Sequence, residues 1–171
     1  MRKFTVGLTY DLKTDYAPAV DDPKDISAEF DHPKVVDELE DALKTSGHEV
    51  VRIGNARQLL DNINNIKVDI VFNIAEGLKG RNRESQVPII LEMMGIPFVG
   101  ADGLTLGLTL DKVLAKKVFM TEGLPTPRYF EVDRTERING TCLDYPLMVK
   151  PKFEGSSKGI DDNSLVKDSP R

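Results

Sequence analysis

Cysteine is nearly absent. Cys142 stands alone among 171 residues, so no intrachain disulfide can form and no Cys-based zinc site can be built. Histidine is almost as scarce. His32 and His48 each lie beside a turn, with no Ser, Cys or second His nearby in sequence, which argues against a hydrolase triad. No apolar run approaches the ~18 residues of a membrane span. The first thirteen residues hold one short apolar alternation and the charge of Asp11, which describes a strand rather than a signal peptide. Internal repeats and low-complexity tracts are missing too. These absences, with an acidic balance, predict a cytoplasmic protein with no membrane or general nucleic-acid role.

What is present is ordinary for a globular chain: 40% apolar and 30% charged residues, with a net charge of −5. The length allows one domain and part of a second. Charge is uneven. Residues 1–103 hold 12 basic and 18 acidic groups, residues 104–171 hold 11 and 10, so an anionic ligand is expected in the second part.

Phe4, Val6 and Leu8 alternate with small residues, the period of a strand. Residues 11–32 form an acidic, proline-punctuated loop. Pro33 opens a helix capped by Asp31 or His32, with Val35, Val36, Leu39, Ala42 and Leu43 on one face and Gly47 after its end. Glu49–Ile53 is a second strand. Asn55 caps a helix with Leu59, Leu60 and Ile63 inward. Val68–Ile74 is nearly all apolar, as a strand covered on both faces should be. A helix over Gln86–Met94, a strand over Ile96–Val99 and one long helix over Leu104–Glu122 follow. Strands are expected at Arg128–Val132 and Tyr145–Val149, and Leu165-Val166 could start a pairing element. Alternating strands and helices predict an α/β fold, a Rossmann-like parallel sheet with helices on both faces. Ligands of such sheets bind beyond the carboxyl ends of the strands.

Three segments can carry chemistry. Val149-Lys150-Pro151 leads into Glu154-Gly155-Ser156-Ser157-Lys158-Gly159. Glycines let backbone N–H groups approach phosphate oxygens, serines add donors and lysine adds charge. An exposed hairpin turn would use the same residues. Lys112 and Lys116 share a helical face, which on its own reads as a solvated lysine stripe. Glu76, Arg81, Arg83 and Glu84 follow the third strand, where carboxylates could take an ammonium and arginine a carboxylate. A salt-bridged surface loop would look alike. Met93 and Met94 read as core filler.

In order, Leu91–Gly100, Leu110-Asp111-Lys112, Gly123–Pro127, Tyr145–Pro151 and Glu154–Gly159 resemble the D-alanine–D-alanine ligase branch of the ATP-grasp superfamily. The resemblance implies a Rossmann-like substrate domain over 1–103 and the start of the central ATP-binding domain over 104–171. It implies that Lys112 and Lys150 contact nucleotide phosphates. Glu154, Gly155, Ser156, Ser157 and Gly159 would form the flap over them, with Ser156 and Ser157 near the reacting groups. Such ligases use ATP and Mg²⁺ to form an acyl phosphate that an amine attacks, a step that feeds peptidoglycan synthesis. The substrate by resemblance is D-alanine, and Asp11, Glu76, Arg81 and Glu84 are this chain's own candidates to hold it. A homodimer through the N-terminal domain is implied as well.

Two departures stand out. Where the family carries Gly-Gly-x-Ser-x-Glu, this chain has Leu8-Thr9-Tyr10-Asp11-Leu12-Lys13, so Asp11 would have to replace the ammonium-holding Glu. The family's metal carboxylates follow the flap, beyond Arg171. The expectation is therefore an N-terminal portion of a ligase, inactive alone. The alternatives are a short non-catalytic amino-acid or nucleotide-binding module, or one subunit of a split ligase.

Overall fold

A computed structural model describes residues 2–132 and 143–168. Two compact units emerge, Met1–Gly107 and Leu108–Arg171.

In the first unit, β1 (Thr5–Thr9) is flanked by β2 (Glu49–Gly54) and β3 (Ile70–Asn73), and β4 (Phe98–Val99) completes the sheet. The order is β2-β1-β3-β4, and every pairing is parallel. Parallel neighbours need long crossovers, which here are helical. These are α1 (Pro33–Thr45), α2 (Ala56–Asp61) and α3 (Gln86–Met94). Pro33 presets the first turn of α1, and His32 Nδ1 accepts the Lys34 amide at 3.2 Å. In α2, Asn55 and Gln58 form a reciprocal capping box. Gly95 closes α3 in the left-handed conformation, φ 66°.

The apolar run of β3 serves both faces of the sheet. Val71 packs with Ile53, Leu59, Ala75, Val87 and Leu91 on one side. Phe72 and Ile74 pack with Leu8, Tyr10 and Val36 on the other. The expected doubly covered sheet is present. Three expectations within it fail: Leu60 on α2 is about half exposed, Val35 on α1 is exposed, and Met93 on α3, expected as core filler, is 83% exposed because it lies on the helix face away from Val87 and Leu91.

Three further expectations are corrected from residue 103 onward. The long helix over 104–122 is two helices, α4 (Gly103–Leu110) and α5 (Lys112–Thr121). Asp111 breaks it. Its backbone is extended (φ −81°, ψ 96°), and its buried carboxylate accepts the Val113 and Leu114 amides at 3.0 Å each. Aspartate competes poorly inside a helix and well at its start. Residues 128–132 form no strand. Lys116 Nζ instead donates to Thr126 Oγ1 (2.8 Å) and the Pro127 carbonyl (2.7 Å), holding that segment to α5. The strand around Tyr145–Val149 narrows to β5 (Leu147–Met148), paired antiparallel with β6 (Leu165–Val166). Cys142 lies outside the described residues. No described helix is long and apolar enough to cross a membrane.

Candidate functional site

In the first unit, the carboxyl ends of β1 and β3 are stitched together. Thr9 Oγ1 donates to Asn73 Oδ1 at 2.7 Å, and the Ile74 amide donates to the Thr9 carbonyl at 2.9 Å. Two residues further on, Asp11 Oδ2 accepts the amides of Glu76 (2.9 Å) and Gly77 (2.8 Å). Asp11 is only 7% exposed, and burial raises its carboxyl above the usual range while the two amides pull it down. Gly77 turns the chain with φ 75°; a Cβ there would lie 2.5 Å from the Arg83 carbonyl oxygen. The loop is thereby folded onto its own continuation.

That continuation supplies Arg83 and Glu84. Arg83 Nη2 donates to both carboxylate oxygens of Glu29 at 2.8 Å, and these side chains are 5% and 3% exposed. Glu84 lies 3.8 Å from the same guanidinium. Carboxylate oxygens of Glu29, Glu76 and Glu84 all fall within 4.8 Å of one another. Burial, with the Glu84 and Glu29 charges alongside, pushes the Glu76 carboxyl up to about 7. Such a cluster can hold a proton or a cationic amine.

Of the residues expected here, Asp11, Glu76 and Glu84 belong to one cluster. Arg81 is exposed on the loop, and Arg83 is the buried arginine. Glu29 was missed altogether. It arrives because the segment after Leu12 returns to its own start: Leu12 bridges Asp31, and the Asp31 amide donates to the Asp11 carbonyl at 2.8 Å. A compact loop with adjacent ends results, anchored by buried Phe30. Two aromatics in an acidic loop, Tyr16 and Phe30, are the available signal, and their rings meet edge-on at 6.1 Å.

In the second unit, Lys112 opens α5. Its Nζ donates to the Glu154 carbonyl, and its amide donates to the Lys152 carbonyl at 3.1 Å. Lys158 pairs with Glu154 Oε2 at 2.9 Å. Between them Ser156 (φ 45°) and Ser157 (φ 60°) both adopt the left-handed conformation, which is costly for residues with a Cβ. Gly159 (φ 72°) packs so closely on Pro151 that a Cβ would approach its Cγ to 2.8 Å. The serine hydroxyls are exposed, as is Lys150 just after β5. This loop therefore presents hydroxyls, a lysine and curved backbone, a donor set suited to phosphate oxygens.

Among the described residues the one carboxylate trio close enough for a cation is Glu29, Glu76 and Glu84, in the other unit. His32 and His48 are structural: His32 caps α1, and His48 Nδ1 accepts the Phe4 amide at 3.3 Å.

No protein-family model matches the chain. It is 34% identical over 135 residues to the uncharacterized protein y4sG of Sinorhizobium fredii, covering 74% of this chain and 40% of that one. It is 36% identical over 130 residues to a D-alanine–D-alanine ligase of Syntrophotalea carbinolica, covering 76% and 41%. A crystal structure of the Bacillus anthracis D-alanine–D-alanine ligase complexed with ATP superposes with a TM-score of 0.66 at 25% identity, over 96% of this chain and 50% of that one. The chain thus spans about two-fifths of the length of these curated relatives.

Proposed function

With the chain a D-alanine–D-alanine ligase-like member of the ATP-grasp family, we propose that it carries the amino-acid site and part of the nucleotide site of an ATP-dependent carboxylate–amine ligase. The loop after β3 receives the amino acid, D-alanine by kinship. Glu76 and Glu84 face its ammonium. The loop over 154–159 receives ATP phosphates. Exposed Lys150 neutralises charge there, and the hydroxyls of Ser156 and Ser157 donate to phosphate oxygens. Lys112 anchors the flap through the Glu154 carbonyl.

The observation that carries this reading is the backbone of Ser156 and Ser157. Strained left-handed conformations persist where function uses them. In the relatives' chemistry ATP activates a carboxylate; in this chain the residues described can bind, orient and shield. The 171-residue chain is proposed to bind these ligands without turning them over.

Backbone NMR of the full chain tests both halves. A nonhydrolysable ATP analogue should shift amides of residues 154–159, and D-alanine should shift those of residues 76–84. ADP release with both substrates should stay at background. Silence of both segments at millimolar ligand would overturn the binding reading, and steady D-alanine-dependent ADP release would overturn the inactivity.

A further inference from the structure

The sequence offers Asp11 as a replacement for the glutamate that holds an ammonium in the family it resembles, yet the geometry points elsewhere. We infer that Asp11 is a positioning residue: it holds the backbone of Glu76 and Gly77, and so aims the Glu76 carboxylate, without itself touching the amino acid. The inference builds on the proposed amino-acid site and states how that site is kept in shape.

Four observations carry it. The same oxygen, Oδ2, accepts both the Glu76 and Gly77 amides, at 2.9 and 2.8 Å. The residue is 7% exposed, beneath the loop rather than on it. Its own carbonyl accepts the Asp31 amide at 2.8 Å, so it also ties down the segment that delivers Glu29. Gly77 packs so tightly on the chain at Arg83 that a Cβ there would lie 2.5 Å from the Arg83 carbonyl oxygen. One residue therefore holds both segments that converge on the glutamate cluster, the Glu76-Gly77 turn through its carboxylate and the Asp31 segment through its backbone carbonyl. A carboxylate that accepts two backbone N–H groups holds them more firmly than a neutral acceptor.

The chemistry separates this role from direct binding. Asparagine keeps an oxygen that can accept both amides but loses the charge. Alanine loses both. The experiment compares Asp11→Asn and Asp11→Ala in the full chain by hydrogen exchange, D-alanine titration and carboxyl-carbon NMR. Asp11→Ala should speed exchange of the Glu76 and Gly77 amides at least tenfold, leave the Val71 amide unchanged, and weaken D-alanine at least tenfold. Asp11→Asn should recover protection at both amides and D-alanine affinity to within about threefold of the parent. It should also lower the Glu76 titration midpoint, because a like charge has gone. Rescue of both protection and affinity by Asp11→Asn, with the charge gone, is what a direct contact between Asp11 and the ammonium would not show.

Unchanged exchange at both amides in Asp11→Ala would overturn the inference. So would Asp11→Asn with full protection but no D-alanine binding, since the charge itself would then be the contact. If the parent chain shows no D-alanine binding, the proposed function fails, and the exchange data still decide whether Asp11 holds the Glu76 and Gly77 amides.

Discussion

Replacing Arg83 by methionine should destabilise the first unit severely, and more so at high pH. The Arg83–Glu29 pair is among the most buried charges in the chain, at 5% and 3% side-chain exposure. Removing the cation leaves Glu29 buried beside Glu76 and Glu84, with carboxylate oxygens inside 4.8 Å. Stranding one partner of a buried pair costs about 3–5 kcal/mol. The repulsion left behind is relieved only by protonation, so the loss shrinks as pH falls. Removing both charges should be far milder, because well-packed apolar replacements of a buried pair are often neutral. The assay is native-state hydrogen exchange at the Val71 amide, which donates to the Pro97 carbonyl at 2.9 Å in the middle of the sheet. At pH 8 the variant should exchange about two to four powers of ten faster. Glu29→Met with Arg83→Met should recover most of that. A rise below tenfold, or the same rise at pH 5.5 and pH 8, would refute the reasoning.

Three further outcomes are expected. Glu76 has a folded carboxyl near 7 against an ordinary 4.5, so the native state binds the extra proton between those values and stability should fall as pH rises through that window. The effect is at most about 3 kcal/mol; Glu76→Gln should flatten the slope in denaturant midpoints, and a parent already flat from pH 5 to pH 8 would sink the assignment. Asp111→Ala removes a buried cap and should cost ~2 kcal/mol, the upper end for such residues, seen as faster exchange at Val113 and Leu114. Ser156→Gly with Ser157→Gly relieves two left-handed residues, so the thermal midpoint should hold or rise while affinity for an ATP analogue falls; unchanged affinity would remove the serines from the phosphate site.

Local chemistry made much of the first unit legible. Caps and periodicity located α1, α2 and α3 because His32, Asn55 and Gly95 act on neighbours within a few residues. The run around Val71 and Phe72 announced a strand covered on both faces, and that is how it packs. Asp111 was harder. Apolar residues continue on both sides of it at helical spacing, and only the burial of its carboxylate shows that it starts a new helix. The glutamate cluster resisted for a different reason. Glu29 is 54 residues from Arg83, and the loop that carries it has no periodicity to place it. Arg81 and Arg83 are likewise equivalent as letters; burial alone selects Arg83.

The position of β1 shapes how the chain must be born. First in sequence, it lies in the interior of the sheet, between β2 and β3. On a ribosome adding roughly 5–20 residues per second, β1 waits several seconds for its second neighbour. Through that interval Val6 and Leu8 lack the cluster that later buries them fully or nearly so. Gly7 between them shortens the sticky stretch, and it is needed afterwards because a Cβ there would meet the Ile53 side chain at 2.5 Å. The same glycine thus adds no side chain to the waiting strand and leaves room for Ile53 in the finished sheet.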